Sequence, residues 1–175
     1  MLNELRAENT QLRQELERCR QECASLRALQ PFRRGVVGEQ YIANLVGGRI
    51  TITNARHDVI TPSGHHLEVK MGKLRFPVRG KPTRQWAWRT LLGEDGQKTY
   101  DSLILLGPVD ERFPRLSDGP YVIFDIPFAH VQQLPNPKYL AVTTDRQRGF
   151  SRVSAVLYDK YLTNELALKA KYRKA

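Results

Sequence analysis

The chain has 175 residues, a formal net charge of +10 and a hydrophobic fraction of 41%. That length allows one compact domain with an appendage, and the apolar fraction is too high for wholesale disorder. No apolar run approaches the roughly 18 residues of a membrane span, and the charged N-terminal stretch does not resemble a secretory signal. We therefore expect a soluble, cytoplasmic protein with no membrane partner.

The positive charge is unevenly distributed along the chain. Residues 1–30 contain five arginines and five acidic residues, so residues 31–175 carry 23 basic against 13 acidic side chains. A domain with such an excess attracts a polyanion, most often nucleic acid, although a basic surface that serves only solubility would have the same composition. Cys19 and Cys23 are the only cysteines, too few for a disulfide scaffold or a cysteine zinc site.

Residues 1–30 have the heptad spacing of a coiled coil. Apolar or small residues recur at alternating steps of three and four, at Leu2, Leu5, Asn9, Leu12, Leu16, Cys19, Cys23 and Leu26. Leucines predominate at the d positions, which favours two strands, and Asn9 at an a position penalises other registers.

The charges beside this seam indicate its orientation. Every e position is an arginine, and three of the g positions are glutamates, namely Glu8, Glu15 and Glu22. Only a parallel pairing sets opposite charges against each other across the interface. We predict a homodimer through a parallel two-stranded coiled coil, and the alternative is a lone amphipathic helix packed on its own domain.

Proline and turn residues predict the elements that follow. Pro31 predicts the end of the first helix and a short hinge over residues 30–35. Helical spacing over residues 38–48 is closed by two glycines, and residues 49–53 alternate as in a strand. Residues 58–70 then predict a β-hairpin whose turn contains Pro and Gly at favourable positions.

Three charged side chains should meet on that hairpin. Glu68 and Lys70 are two residues apart on one strand and project from the same face, and Asp58 lies near the start of the paired strand. Holding two carboxylates together is unfavourable unless a cation lies between them. A hard divalent cation such as Mg²⁺ suits carboxylate and water ligands.

The sequence Asp58 followed by Glu68-Val69-Lys70, after a helix that bears Glu39, resembles the motif of the PD-(D/E)xK nuclease superfamily. That superfamily includes type II restriction enzymes, Holliday junction resolvases and some intron-encoded homing endonucleases. The resemblance covers roughly residues 35–130, and the motif itself lies within residues 58–70. It departs from the family in one place, since a histidine stands where Pro commonly precedes the aspartate.

This resemblance implies roles for individual residues. Asp58, Glu68, the carbonyl of Val69 and the helix acid Glu39 would bind Mg²⁺, for which Mn²⁺ would substitute. Lys70 would position or deprotonate the attacking water and stabilise the pentacovalent phosphate.

Histidines and basic residues near the motif have several interpretations. A zinc site built from His57, His65 and His66 is disfavoured because adjacent strand histidines point to opposite faces, but His57 or His65 lining a cleft beside phosphate stays open. A basic loop is expected to hold the DNA backbone or to be plain solvated surface; its residues are Lys70, Lys73, Arg75, Arg79, Lys81, Arg84 and Arg89. The basic turn over residues 144–152 has the same two interpretations.

Later segments predict the rest of the core. Trp86 and Trp88 should pack inward from one strand, and residues 100–107 and 121–127 read as strands of a sheet covered on both faces. Thr163 is expected to cap a C-terminal helix over residues 164–174.

Together these patterns predict an α/β protein with two domains. A coiled-coil dimerisation helix over residues 1–30 would precede a PD-(D/E)xK nuclease domain over residues 31–175, whose mixed central sheet of four to six strands is flanked by helices. The expected function is Mg²⁺-dependent hydrolysis of duplex DNA by a homodimeric endonuclease. The alternatives are a non-catalytic, dimeric DNA-binding protein and a structure-specific nuclease acting on branched DNA or RNA.

Overall fold

The computed structural model divides into two compact units, Met1–Val36 and Val37–Ala175. It describes residues 2–51, 56–76, 83–93, 98–145 and 152–173, and within them the side chains of all but residues 2–8, 10, 23–32, 115 and 152. The helices are α1 (Leu2–Val46), α2 (Phe128–Val131), α3 (Arg152–Lys160) and α4 (Glu165–Tyr172), with a short 3-10 helix at Pro114–Leu116. The strands are β1 (Arg49–Ile50), β2 (Val59–Ile60), β3 (His66–Met71), β4 (Lys73–Arg75), β5 (Gln85–Arg89), β6 (Ser102–Pro108), β7 (Tyr121–Pro127), β8 (Tyr139–Thr143) and β9 (Leu162–Thr163).

The first helix is longer than the sequence predicts. The expected hinge over residues 30–35 is wrong, because α1 continues through Pro31 and ends only at Val46. An interior proline removes a single N–H donor, and long helix-favouring segments on either side can outweigh that loss. At its C-terminal end the predicted glycine stop is confirmed, since Gly47 adopts a positive φ of 69° that glycine tolerates best. No described helix is both long and apolar enough to cross a membrane.

A mixed six-stranded sheet forms the centre of the second unit. Its strand order is β1-β2-β3-β6-β7-β9, in which β3 and β6 are parallel and all other neighbours are antiparallel. Alternate side chains of β6 enter two core clusters, Leu103 and Leu105 on one face and Ile104 and Leu106 on the other. The predicted central strands, buried on both faces, are therefore confirmed.

Helices cover one face of this sheet, and a second sheet with further helices covers the other. The C-terminal turns of α1 pack with α4 on the face of Ile104. The opposite face carries a three-stranded antiparallel sheet, β4-β5-β8, together with α2 and α3. An α/β architecture with a mixed sheet flanked by helices is confirmed, whereas part of the expected basic loop proves to be the strands β4 and β5.

Two tryptophans attach the second sheet to the first. Trp86 and Trp88 are buried as predicted, and their indole N–H groups donate to the carbonyl oxygens of Pro108 and Leu106 at 2.8 and 3.1 Å. A Cβ atom at Gly107 would lie 2.7 Å from the Trp86 ring, so this close approach requires glycine.

The C-terminal helix begins one residue later than expected. Asn164 is the N-cap, and its side-chain oxygen accepts a hydrogen bond from the Ala167 amide at 2.8 Å. Thr163 instead belongs to β9 and lies opposite Ile123 of β7. Thr and Asn are both good capping residues, and pairing with β7 decides which of them caps the helix.

A buried carboxylate, Asp110, connects the two sheets near their ends. It accepts hydrogen bonds from Arg84 at 3.0 Å, from Arg112 at 2.9 Å and from the Thr144 hydroxyl at 2.7 Å. Burial alone would raise its pKa, but the hydrogen bonds and charge of its partners outweigh burial and lower the pKa of Asp110 from its ordinary 3.8 to about 2.

Replacing Asp110 by Asn should therefore lower the free energy of unfolding by about 2 kcal/mol at neutral pH. The folded-state pKa lies below the unfolded-state value, so this stabilisation is present above pH 3.8 and is lost as the pH falls towards 2. Urea unfolding of the wild type and the variant at neutral pH and near pH 2 measures this difference in unfolding free energy, with the exposed Asp118→Asn as a control. An equal difference from the wild type at both pH values would contradict this assignment.

Candidate active site

The β2–β3 hairpin sets the positions of the candidate acids. Val59 lies opposite Leu67 and Ile60 opposite His66, and Gly64 closes the intervening turn with a φ of 82°. The Asp58 amide donates to the Leu67 carbonyl at 2.9 Å, which extends the pairing by one residue. Asp58 is thereby held beside the strand that carries Glu68 and Lys70.

Glu68 is the centre of the charged cluster, and its side chain is fully buried. Lys70 Nζ lies 2.7 Å from Glu68 Oε1, so these two side chains share one face of β3 as predicted. Asp58 turns one carboxylate oxygen, Oδ2, towards β3, where it accepts a hydrogen bond from the Val69 amide at 2.8 Å. Asp58, Glu68 and Lys70 are thus brought together at one end of the hairpin.

A second lysine, Lys98, completes the cluster and was missed by the sequence reasoning. Its Nζ lies 2.6 and 2.8 Å from the two oxygens of Glu68 and 3.6 Å from Asp58 Oδ1. Lys98 lies 30 residues after Glu68 in the chain, in the connection between β5 and β6, so no local spacing could have indicated it. Only the packing of that connection against β3 brings the ammonium group to the two carboxylates.

The charges shift one another's protonation. Burial, followed by the nearby charge of Asp58, raises the pKa of Glu68, and Lys70 and Lys98 oppose that rise. Burial alone would lower the pKa of Lys98, but Glu68 and Asp58 outweigh it and the net effect is a raised pKa. Lys98 is therefore held as an ammonium ion next to the acids.

Glu39 lies close enough to this cluster for its pKa to be shifted by the charges there. It follows Gly38 on α1, where a Cβ atom would come within 3.2 Å of Met71 on β3, so glycine lets the helix approach the strand. Burial and then the charges of Asp58 and Glu68 raise the pKa of Glu39. No contact of Glu39 within hydrogen-bonding distance of Asp58 or Glu68 is found, and its role as a metal ligand stays a prediction.

The backbone of Val69 adds one oxygen to the same region. In a strand, the N–H and C=O groups of one residue point to the same side. The Val69 amide points towards Asp58, so the Val69 carbonyl points to the same side of β3. Since β2 begins at Val59, opposite Leu67, this carbonyl lies beyond the end of β2. It lies on the side of β3 from which Asp58 approaches.

These donors are suited to a hard divalent cation. Within the described residues, no three His, Cys, Asp or Glu side chains come close enough to form a metal cluster by themselves. Mg²⁺, however, commonly takes only one or two protein carboxylates and keeps several waters. The carboxylates of Asp58 and Glu68 with the Val69 carbonyl form such a set, and Lys98 Nζ lies between the same two carboxylates.

The histidines do not converge on a metal site. The rings of His57 and His66 stack 4.0 Å apart and nearly parallel, and His65 Nδ1 instead lies 3.0 Å from the Ser63 hydroxyl. Burial first, and then His66, lower the pKa of His57. Asp101, immediately before β6, accepts a hydrogen bond from the His66 amide and so has a structural role.

The predicted basic residues fall in different places. Lys73, Arg75 and Arg89 belong to the second sheet, while Arg84 contacts Asp110. Arg79, Lys81 and most of the turn predicted over residues 144–152 lie outside the described residues.

Comparison with known proteins finds distant similarity at the level of structure. No protein-family profile matches the chain, and no curated protein sequence matches it. A solved structure described as that of a bacterial homing endonuclease, I-Ssp6803I, is similar over 79% of this chain and 91% of its own, with 12% identity and a TM-score of 0.44. A TM-score this low does not establish a shared fold, so the function is inferred from the site residues.

Replacing Lys98 by Gln should destabilise the folded protein by about 1–3 kcal/mol at neutral pH, because the buried Glu68 loses one of two ammonium partners. The change raises the already elevated pKa of Glu68 further, so the folded variant binds a proton at higher pH. The destabilisation should then shrink as the pH falls through that pKa. Urea unfolding over a pH series measures it, with the exposed Lys160→Gln as a control. A loss of unfolding free energy that is the same at every pH would contradict the interaction of Lys98 with the ionised Glu68.

Proposed function

We propose that the chain is a metal-dependent endonuclease that hydrolyses phosphodiester bonds of DNA. The observation that supports it best is the fully buried Glu68 carboxylate, contacted by two lysines and adjacent to Asp58. An ionic cluster of this kind stabilises a fold less well than apolar packing of similar volume would. Carboxylates and lysines with mutually shifted pKa values, gathered at one end of a hairpin, are typical of catalytic sites.

Asp58, Glu68 and the Val69 carbonyl are the proposed metal ligands, with Glu39 completing the set. Bound Mg²⁺ or Mn²⁺ would supply Lewis-acid stabilisation of the phosphate and lower the pKa of a coordinated water. The cluster has a formal excess of one negative charge, since it contains three acids, Asp58, Glu39 and Glu68, and two lysines, Lys70 and Lys98. This excess favours cation binding.

The two lysines have different proposed tasks. Lys70 is about a quarter exposed and can reach solvent from β3, where it would orient the attacking water and stabilise charge on the phosphate. Lys98 Nζ lies 2.6 Å from Glu68 Oε1 and 3.6 Å from Asp58 Oδ1, so it would offset the charge of both acids and would shift away from Asp58 if these residues held a divalent ion.

DNA is the proposed substrate because the positive charge is concentrated in the unit that contains the site. Residues 37–175 carry 21 basic and 13 acidic side chains. Salt-dependent association with phosphates follows from such an excess.

A parallel homodimer through α1 would place two active sites on one duplex. Leu12 and Leu16, at neighbouring d and a positions of the heptad pattern, are 57% and 52% exposed in the single chain. A second copy of the helix would bury both leucines and pair the glutamates at g with the arginines at e. Two-fold symmetry then suits a palindromic or nearly palindromic target, with each active site cleaving one strand.

A non-catalytic, dimeric DNA-binding protein is the second candidate function. It accounts for the positive charge and the heptads but gives no reason for a fully buried carboxylate beside Asp58. A nuclease acting on branched DNA or RNA would use the same site, and substrate comparisons in Mg²⁺ distinguish these alternatives.

Glu68→Ala and Lys70→Ala should each abolish DNA cleavage while folding and DNA binding persist. Glu68→Gln, which keeps the side-chain volume, should behave in the same way because it removes the negative charge that holds the cation. Plasmid and oligonucleotide substrates with Mg²⁺, Mn²⁺ or EDTA provide the measurement, with the exposed Glu111→Gln as a control. Cleavage by any of the three variants at the wild-type rate would rule out this active site.

Replacing Leu12 and Leu16 together by Glu should convert the dimer to monomer and shift plasmid products from linear to nicked. Burying four glutamates in the seam of two helices is unfavourable. Light scattering and product ratios measure the effect, and Gln11→Glu with Gln14→Glu on the outer face of the same helix is the control. A leucine variant that remains dimeric and linearises plasmid normally would show that the dimer forms elsewhere.

In the wild type, mild oxidation should crosslink the chains through Cys19, which is exposed in the single chain.

A further inference from the structure

The second sheet has an outer face that no part of the proposed catalytic site uses. In the register of β4, β5 and β8, Lys73 lies opposite Ala87, Arg75 opposite Gln85 and Arg89 opposite Tyr139. The alternate residues are the inward-facing ones, including Trp86, Trp88, Leu140 and Val142 of the core. The outer face therefore has Lys73, Arg75, Gln85, Ala87, Arg89, Tyr139, Ala141 and Thr143, the last of which is buried.

This outer face is positively charged, and its cations are exposed. Lys73, Arg75 and Arg89 are all exposed, and the three strands contain no acidic residue. Among the described residues, no carboxylate lies within ion-pair distance of any of these three cations. Unneutralised cations on a regular sheet are a suitable surface for a polyanion.

The side chains on this face form a defined arrangement. Two guanidinium groups, those of Arg75 and Arg89, lie near the Tyr139 ring, with central carbons 5.7 and 5.9 Å from its centroid. Arg75 also donates a hydrogen bond to the Tyr139 hydroxyl at 3.3 Å. Ala87 and Ala141 lie opposite each other in the row between these two residues, so the contact of Arg75 with Tyr139 spans the middle of the face.

The outer face belongs to the same side of the molecule as the catalytic residues. Leu67 and Val69 of β3 point into the cluster shared with α1, so Glu68 and Lys70 leave β3 on the opposite face of the central sheet. The second sheet packs on that same face. Lys73 follows Lys70 by three residues, which corresponds to about 10 Å along an extended chain.

We propose that the outer face of the β4–β5 ribbon is the surface that binds duplex DNA, with its cations on phosphates and Gln85 towards the base edges of the major groove. This inference rests on the proposed function in taking DNA as the polyanion. β4 and β5 lie at one edge of the three-stranded sheet, and their spacing of about 4.8 Å, with their side chains, suits a B-DNA major groove about 12 Å wide. Duplex RNA should bind less well, because side chains cannot enter its deep, narrow major groove.

The test is duplex DNA binding by fluorescence anisotropy at several salt concentrations, in Ca²⁺ or EDTA so that cleavage does not interfere. The full-length variants are Lys73→Gln with Arg75→Gln, and Arg89→Gln. The matched control is Lys169→Gln with Arg173→Gln, which removes two charges at α4, on the other face of the central sheet. Melting temperatures and circular dichroism verify that each variant is folded.

The double variant in β4 should bind duplex DNA roughly tenfold more weakly at fixed salt and show a salt slope smaller by about 2, one unit for each lost phosphate contact. Arg89→Gln should reduce the slope by about 1. The control should bind as the wild type does, and wild-type affinity for duplex RNA of the same sequence should be lower.

Unchanged affinity and slope in folded variants of this face would overturn the proposal, as would an equal loss in the α4 control. Equal affinity for duplex RNA would overturn the major-groove docking. The proposed function fails separately if the wild type binds DNA through this face but cleaves nothing in Mg²⁺ or Mn²⁺. If the wild type cleaves DNA and the variants of this face bind DNA as well as it does, the proposed nuclease function is retained and the proposed DNA-binding surface is rejected.

Discussion

The buried charge of Glu68 is the constraint on which the site depends. A carboxylate without solvent access requires cationic partners within hydrogen-bonding distance, and the fold provides Lys70 from the same strand and Lys98 from the connection between β5 and β6. Satisfying Glu68 therefore fixes two parts of the chain relative to each other: the β2–β3 hairpin and the segment before β6. The same requirement leaves Asp58 beside the ammonium group of Lys98, at 3.6 Å.

The second sheet connects this site to the basic surface of the domain. Trp86 and Trp88 fix its inner face to β6, and Asp110 holds its ends through Arg84 and Thr144. Since alternate residues of a strand point to opposite faces, burying the two tryptophans forces their neighbours outward. In these strands the apolar residues point inward to the core, and the cations point outward on the surface proposed to bind DNA.

Local patterns predicted much of this structure, and long-range packing determined the rest. The hairpin, the central strands and the inward tryptophans follow from alternation and turn residues, and the meeting of Asp58 with Glu68 follows from the hairpin register. Lys98 could not be predicted, because no spacing rule connects residues brought together only by tertiary packing. The predicted hinge at Pro31 is wrong because one proline does not outweigh the helix-favouring segments on either side of it. The division of the basic stretch into two strands depends on pairing of β5 with both β4 and the distant β8.

The most direct test is the location of a metal ion in crystals of the protein with duplex DNA and Mn²⁺. The account predicts an anomalous-scattering peak between Asp58 and Glu68, within about 2.2 Å of a carboxylate oxygen from each, as expected for a small octahedral cation. It also predicts that Lys98 Nζ has moved away from Asp58 and that a DNA phosphate lies beside Lys70. A Mn²⁺ peak elsewhere, or DNA bound with Lys98 still between the two acids and no metal there, would contradict the account.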